Sequence, residues 1–118
     1  MILLISSQQP QLDSPINTRF GRSPWLIKMD TQTKKWEAFS NPAASQTGGA
    51  GIAAAQFVID QKAAGVISGD FGPNAARVLR AANIEMRLFT NEIKTVEQAV
   101  ESFIQNKLPA FVENTRQE

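Results

Sequence analysis

The chain has 118 residues, 42% of them hydrophobic and 19% charged, and its 12 basic and 11 acidic side chains leave a net charge of +1. This length and balance predict one globular domain, and the absence of a basic stripe excludes nucleic acid as the expected partner. Cysteine is absent, as is histidine, which removes disulfides, thiol nucleophiles, imidazole bases and the usual zinc sites.

Met1 to Ile5 is a continuous apolar run and predicts a buried central strand. It is short and has no charged leader, and no run in the chain reaches the length of a membrane span. A cytoplasmic protein with no membrane partner is therefore expected. Residues 8–18 carry Pro10, Asp13, Ser14, Pro15 and Asn17 and read as a loop. Trp25 to Met29 predicts a second strand and Asp30 to Thr33 a turn. Lys35 to Phe39 alternates polar and apolar residues, as an exposed edge strand would, so strands two and three form a hairpin. Trp36 on such an edge, if exposed, would suggest an oligomer contact; a monomer or weak homodimer is expected.

Ile52 to Ala64 is helical in pattern, with Gly65 placed as its C-terminal cap. Val66 to Ser68 predicts a short buried strand. Pro73 opens a second helix, in which Ala75, Val78, Leu79 and Ala82 share a face. Ile84 to Phe89 reads as the fifth strand. Thr95 and Gln98 form a capping box ahead of a third helix, whose buried stripe is Val96, Ala99, Val100, Phe103 and Ile104. A single domain over residues 1–108 and a weakly ordered C-terminal tail over 109–118 follow.

The order βββαβαβα predicts an α/β fold with a five-stranded mixed sheet of order 3-2-1-4-5 and strand 2 antiparallel to the others. The boundary between strands 1 and 4 is then a switch point, where ligands tend to lie beyond the carboxyl ends of strands. Ser6-Ser7, Arg19 to Pro24, Gly48 to Gly51 and Asp70 to Asn74 converge on that edge. Two helix N-termini and two arginines aimed at one place predict an anion site. Its expected residues are Arg19, Gly21, Arg22, Ser45, Gly48, Gly49, Gly51, Gly72 and Asn74, with no metal ligand among them.

Other chemistries fit less well. Gly49 to Ala54 matches the loose dinucleotide pattern G-x-G-x-x-A, with Asp70 about twenty residues on, but that fingerprint wants a buried strand running straight into the glycine turn. Here an edge strand and a loop containing Pro42 intervene, and no P-loop lysine is present. Asp13 and Asp70 are the only acids near the site, and Ser6, Ser7 and Ser68 have no histidine base to activate them. A binding module is expected, and no enzyme.

Arg19-Phe20-Gly21-Arg22-Ser23-Pro24, Asn41-Pro42, Gly48-Gly49-Ala50-Gly51, Gly72-Pro73-Asn74-Ala75 and Thr95-Val96-Glu97 occur in an order and spacing that resembles the dinitrogenase iron–molybdenum cofactor biosynthesis family, the domain type of NifX, NafY and the end of NifB. The resemblance covers roughly residues 1–108. It implies a ribonuclease-H-like, three-layer α/β/α fold. It also implies binding or carriage of an iron–sulfur cluster or its iron–molybdenum product, with cofactor-assembly proteins as partners. The stretch Ala43 to Thr47 departs from the cluster-binding members by offering only hydroxyl and amide groups. Arginines and backbone N–H groups would then have to hold a preformed anionic cluster without a covalent ligand. The alternative is a regulatory or interaction domain that binds phosphate or a nucleotide and no metal cluster.

Overall fold

The computed structural model describes residues 1–112. Strand β1 (Ile2–Ser7) is buried along nearly its whole length. It carries apolar side chains to both faces, Leu4 to one layer and Leu3 and Ile5 to the other, which suits it to the centre of a sheet covered on both sides. It pairs antiparallel with β2 (Trp25–Asp30) and parallel with β4 (Gly65–Ser68). The outer strands are β3 (Trp36–Ser40), antiparallel to β2, and β5 (Glu85–Leu88), parallel to β4. The order is β3-β2-β1-β4-β5, the sheet the pattern predicts.

Helices α1 (Ala50–Asp60) and α2 (Pro73–Ala81) cover one face, and α3 (Val96–Ile104) covers the other. The two layers are built from different residues. Under α1 and α2 the buried set is rich in alanine, with Ala54, Ala55, Ala75 and Ala76 packed beside Val58 and Leu79. Against α3 it is branched and larger, with Leu3, Ile5, Ile27, Ile67, Val96 and Val100. Small side chains let α1 and α2 approach each other closely; a Cβ added at Gly51 would lie 3.3 Å from that of Ala75.

The loop before the first 3-10 turn is tied down by α3. The N–H of Ile16 donates to the carbonyl of Lys94 at 3.2 Å, that of Val96 to Ser14 at 3.1 Å and that of Glu97 to Leu12 at 2.9 Å. Thr95 and Gln98 complete the expected capping box. Buried serines fix the other end of the loop, with Ser7 Oγ donating to Ser14 Oγ at 2.9 Å and the N–H of Ser7 to Ser23 Oγ at 3.0 Å.

Several boundaries differ from the expected ones. Helix α1 begins at Ala50 and ends at Asp60, and the chain turns away through Lys62 at φ 60. Gly65 is therefore not a helix cap; it is the buried first residue of β4, where a Cβ would lie 3.0 Å from Leu3 Cδ2 and 3.4 Å from Phe103 Cζ. On α2, Ala76 replaces Ala82 in the buried face, and Ile104 of α3 is exposed. Residues 109–111 run beside β5, whose outer edge leaves backbone groups to be paired. Leu88 N–H donates to Pro109 at 2.9 Å and Phe111 N–H to Met86 at 3.0 Å. The Phe111 ring also packs on Phe71, centroids 5.3 Å apart, so backbone pairing continues past Leu108. The rest of the expected tail, residues 113–118, lies outside the described residues.

Candidate anion-binding cleft

A cleft of about 320 Å³ opens at the carboxyl edge of β1 and β4, lined by Arg19, Phe20, Gly21, Arg22, Ala50, Gly51, Asp70 and Gly72. Three of the four expected chain segments supply this lining. The fourth, Ser6-Ser7, is buried, with Ser6 Oγ donating to Ser68 Oγ at 2.9 Å.

Close backbone packing brings the segments together. A 3-10 turn over Phe20–Arg22 sits on the start of α1, where a Cβ at Gly21 would meet the backbone N of Gly51 at 3.2 Å. Phe20 anchors the turn from inside, 2% exposed, with its ring 5.3 Å from that of Phe71. Gly69 lies against Thr18, so that a Cβ there would come within 2.6 Å of the Thr18 Cβ. These contacts aim the starts of α1 and α2 at the same opening.

Neither start is capped by a side chain. Gly49, at φ 72, is the N-cap of α1, and Gly72 is the N-cap of α2. The N–H groups of Ala50, Gly51, Ile52, Asn74 and Ala75 have no hydrogen-bond partner among the described residues. No acidic side chain stands in the first turn of either helix. The Arg19 guanidinium is exposed and makes no hydrogen bond or ion pair among the described residues. Partial positive charge at two helix starts and one unpaired arginine can hold an anion.

Arg22 is engaged differently, donating through Nη1 to the carbonyls of Ala44, at 3.3 Å, and Gln46. Asp70 places a carboxylate at the cleft, where its Oδ1 accepts from the N–H of Phe71 at 2.9 Å.

Of the residues expected at the site, Arg19, Gly21, Arg22, Gly51 and Gly72 line the cleft. Gly49 adjoins it as the α1 cap. Ser45 and Gly48 are exposed in the loop before α1, outside the lining, and Asn74 accepts from Arg77 Nη2 at 2.8 Å within α2. Phe20, Ala50 and Asp70 also line it; all three lie in the expected segments, though not among the expected binding residues. Hollows of about 360 Å³ beside Lys28 and Trp36 and about 370 Å³ beside Phe103 and Ile104 have no helix start among their lining residues. Among the described residues, no group of three or more acidic, cysteine or histidine side chains could hold a metal ion, and no helix is long and apolar enough to cross a membrane.

The chain is similar to the apo form of the orange protein from Desulfovibrio gigas, 31% identical, with a TM-score of 0.87 over 94% of this chain and 92% of that one. It is also similar to a Thermotoga protein described as a candidate NifB protein, 26% identical, with a TM-score of 0.78 over 99% and 98% of the two chains. A protein of Methanocaldococcus jannaschii described as a candidate dinitrogenase shares the fold at 12% identity, with a TM-score of 0.67 over 94% of each chain. No curated protein matches the sequence. The sequence profile of the dinitrogenase iron-molybdenum cofactor family matches residues 1–106, and the chain belongs to that family.

Proposed function

We propose that this chain is a non-enzymatic binding or carrier module whose cleft takes a small anionic ligand, with a preformed iron–sulfur or iron–molybdenum cluster as the cargo its family points to. One observation carries the reading: Arg19, whose guanidinium has no partner among the described residues, lines one cleft with Ala50 and Gly51 of the α1 start and with Gly72, the cap of α2. The donor set suits an anion and does not suit a bare metal ion, because the chain has neither thiolate nor imidazole. A cluster would be held as a finished anion, by charge and hydrogen bonds, and could leave without a metal–protein bond having to break. That property fits a carrier that receives its cargo from one cofactor-assembly protein and yields it to another.

The second reading, a regulatory domain that binds phosphate or a nucleotide, draws on the same donors and is favoured by the missing soft ligands. An anaerobic titration of the pure protein with an iron–sulfur cluster, iron–molybdenum cofactor, molybdate, phosphate and nucleotides separates the two. Cluster binding that Arg19→Ala weakens about tenfold or more, with the unfolding midpoint unchanged, supports the carrier. Binding of phosphate or nucleotide alone sinks the cargo and leaves the second reading. If no anion binds, the cleft is not the site.

A further inference from the structure

Arg22 lines the cleft, yet its guanidinium faces the loop before α1. That loop has two unlike halves. Asn41 and Ala43 are buried, and Asn41 fastens the first half by donating from Nδ2 to the carbonyl of Phe20 at 3.3 Å and accepting at Oδ1 from the N–H of Ala43 at 3.0 Å. Ser45, Gln46, Thr47 and Gly48 are all exposed. Among the described residues, the bond from Arg22 to the Gln46 carbonyl is their one hydrogen bond to another element. Nothing lies within 4 Å of a Cβ placed on Gly48, and Gly49 follows at φ 72. The half-loop is thus a strap held at one point by a cationic side chain that also borders the cleft.

We infer that Arg22 is a two-position arm: it pins the Ser45–Gly48 strap through the Ala44 and Gln46 carbonyls when the cleft is empty, and transfers to the anion when one enters, freeing the strap. This rests on the reading of the cleft as an anion site. The exchange is favoured because a guanidinium–anion pair carries charge on both partners and can be bidentate, whereas the present bonds run from one nitrogen to neutral carbonyls. Its existing carbonyl bonds are solvent-exposed, so the carbonyls are rehydrated when Arg22 leaves. Selectivity follows, since an anion must reach Arg22 while it occupies the helix starts. Ser45 and Gly48, expected at the site but outside the lining, then belong to the strap whose freedom reports occupancy.

The test is NMR on the full chain titrated with inorganic phosphate and with molybdate, comparing the wild type with Arg22→Ala and Arg22→Lys. Cleft occupancy is read from shifts of the Ala50, Gly51 and Gly72 amides, and strap freedom from backbone order parameters at 45–48. In the wild type, binding should lower those order parameters from near ~0.85 toward ~0.6 or below. In Arg22→Ala they should be low before any anion is added and unchanged by it, with affinity reduced about three- to tenfold. Arg22→Lys, which keeps the charge but loses the planar fork, should hold the strap poorly and retain part of the affinity. Cleft shifts with unchanged or raised order in the strap overturn the two-position arm and leave the anion site standing. If neither anion moves the cleft amides, the two-position arm is overturned for oxyanions, and the anion site stands or falls on the cluster titration.

Discussion

At the start of α3 the N–H of Val96 donates to Ser14, that of Glu97 to Leu12 and that of Gln98 to Thr95 Oγ1, and Glu97 adds a carboxylate to the first turn. At the starts of α1 and α2 the caps are Gly49 and Gly72, no side chain accepts among the described residues, and neither first turn holds an acid, the nearest at the cleft being Asp70 before the α2 cap. The same chain therefore satisfies one helix start completely and leaves two open. Glycine as N-cap gives up only about a few tenths of a kcal/mol against a side-chain cap. It leaves the backbone N–H groups of these two starts accessible to an outside partner. The small-residue layer under α1 and α2 lets those helices approach closely, while the branched layer under α3 covers the opposite face of the sheet.

The largest expected effect strikes the backbone approach that sets this arrangement. Gly69→Ala would drive a Cβ to within 2.6 Å of the Thr18 Cβ and 2.7 Å of its Cα. Backbone cannot give way as a flexible side chain does, so urea denaturation should reveal a loss of about 1–3 kcal/mol. Because the Asp70 to Gly72 segment follows directly, anion affinity should fall as well. A stable Gly69→Ala protein with full affinity would show that this packing does not position the cleft. Next in size is Thr95→Ala, which removes the capping box of α3 and should cost about 1 kcal/mol. Calorimetric titration should find anion affinity unchanged, since α3 lies on the opposite face of the sheet. A drop in affinity would mean that the two ends are coupled through the sheet and that the contrast between them is too simple.

Local chemistry in the sequence accounts for much of this. The Thr95–Gln98 box, Pro73 at the first position of α2 and the apolar run of β1 each act within a few residues, and each is found where the pattern puts it. The end of α1 was not legible, because Lys62 takes a positive φ that nothing in a lysine announces, whereas Gly65 looked like a cap. Gly65 serves a long-range contact instead, against Leu3 and Phe103. The glycine-rich run divides in the same way: Gly49 answers a local backbone need, and Gly51 a distant one, the approach of Ala75. The cleft was legible as a convergence of loops, since topology alone brings those segments to one edge. The direction of Arg22 was not, because its partners are carbonyls, which every residue carries.

The smallest change in stability should come from the substitution that separates the two kinds of helix start most cleanly. Gly72 is the N-cap of α2 with φ −65 and ψ 161, extended backbone that any residue adopts. A Cβ there would meet nothing within 4 Å. Gly72→Asp can therefore enter without strain and place a carboxylate where the N–H groups of Asn74 and Ala75 are open, converting this start into the kind found on α3. Capping and the helix dipole together should raise stability by about 0.3–1 kcal/mol. The same carboxylate would occupy the donors and repel an incoming anion, so affinity for phosphate or molybdate should fall about tenfold or more. Gly72→Ala is the control, since it fills the same space without an acceptor and should keep most of the binding. If Gly72→Asp gains stability and still binds anions as the wild type does, the open end of α2 is not part of the site, and the cleft must work through Arg19 and α1 alone. If Gly72→Ala loses binding as fully as Gly72→Asp, the space left by the missing side chain matters more than the N–H groups beneath it.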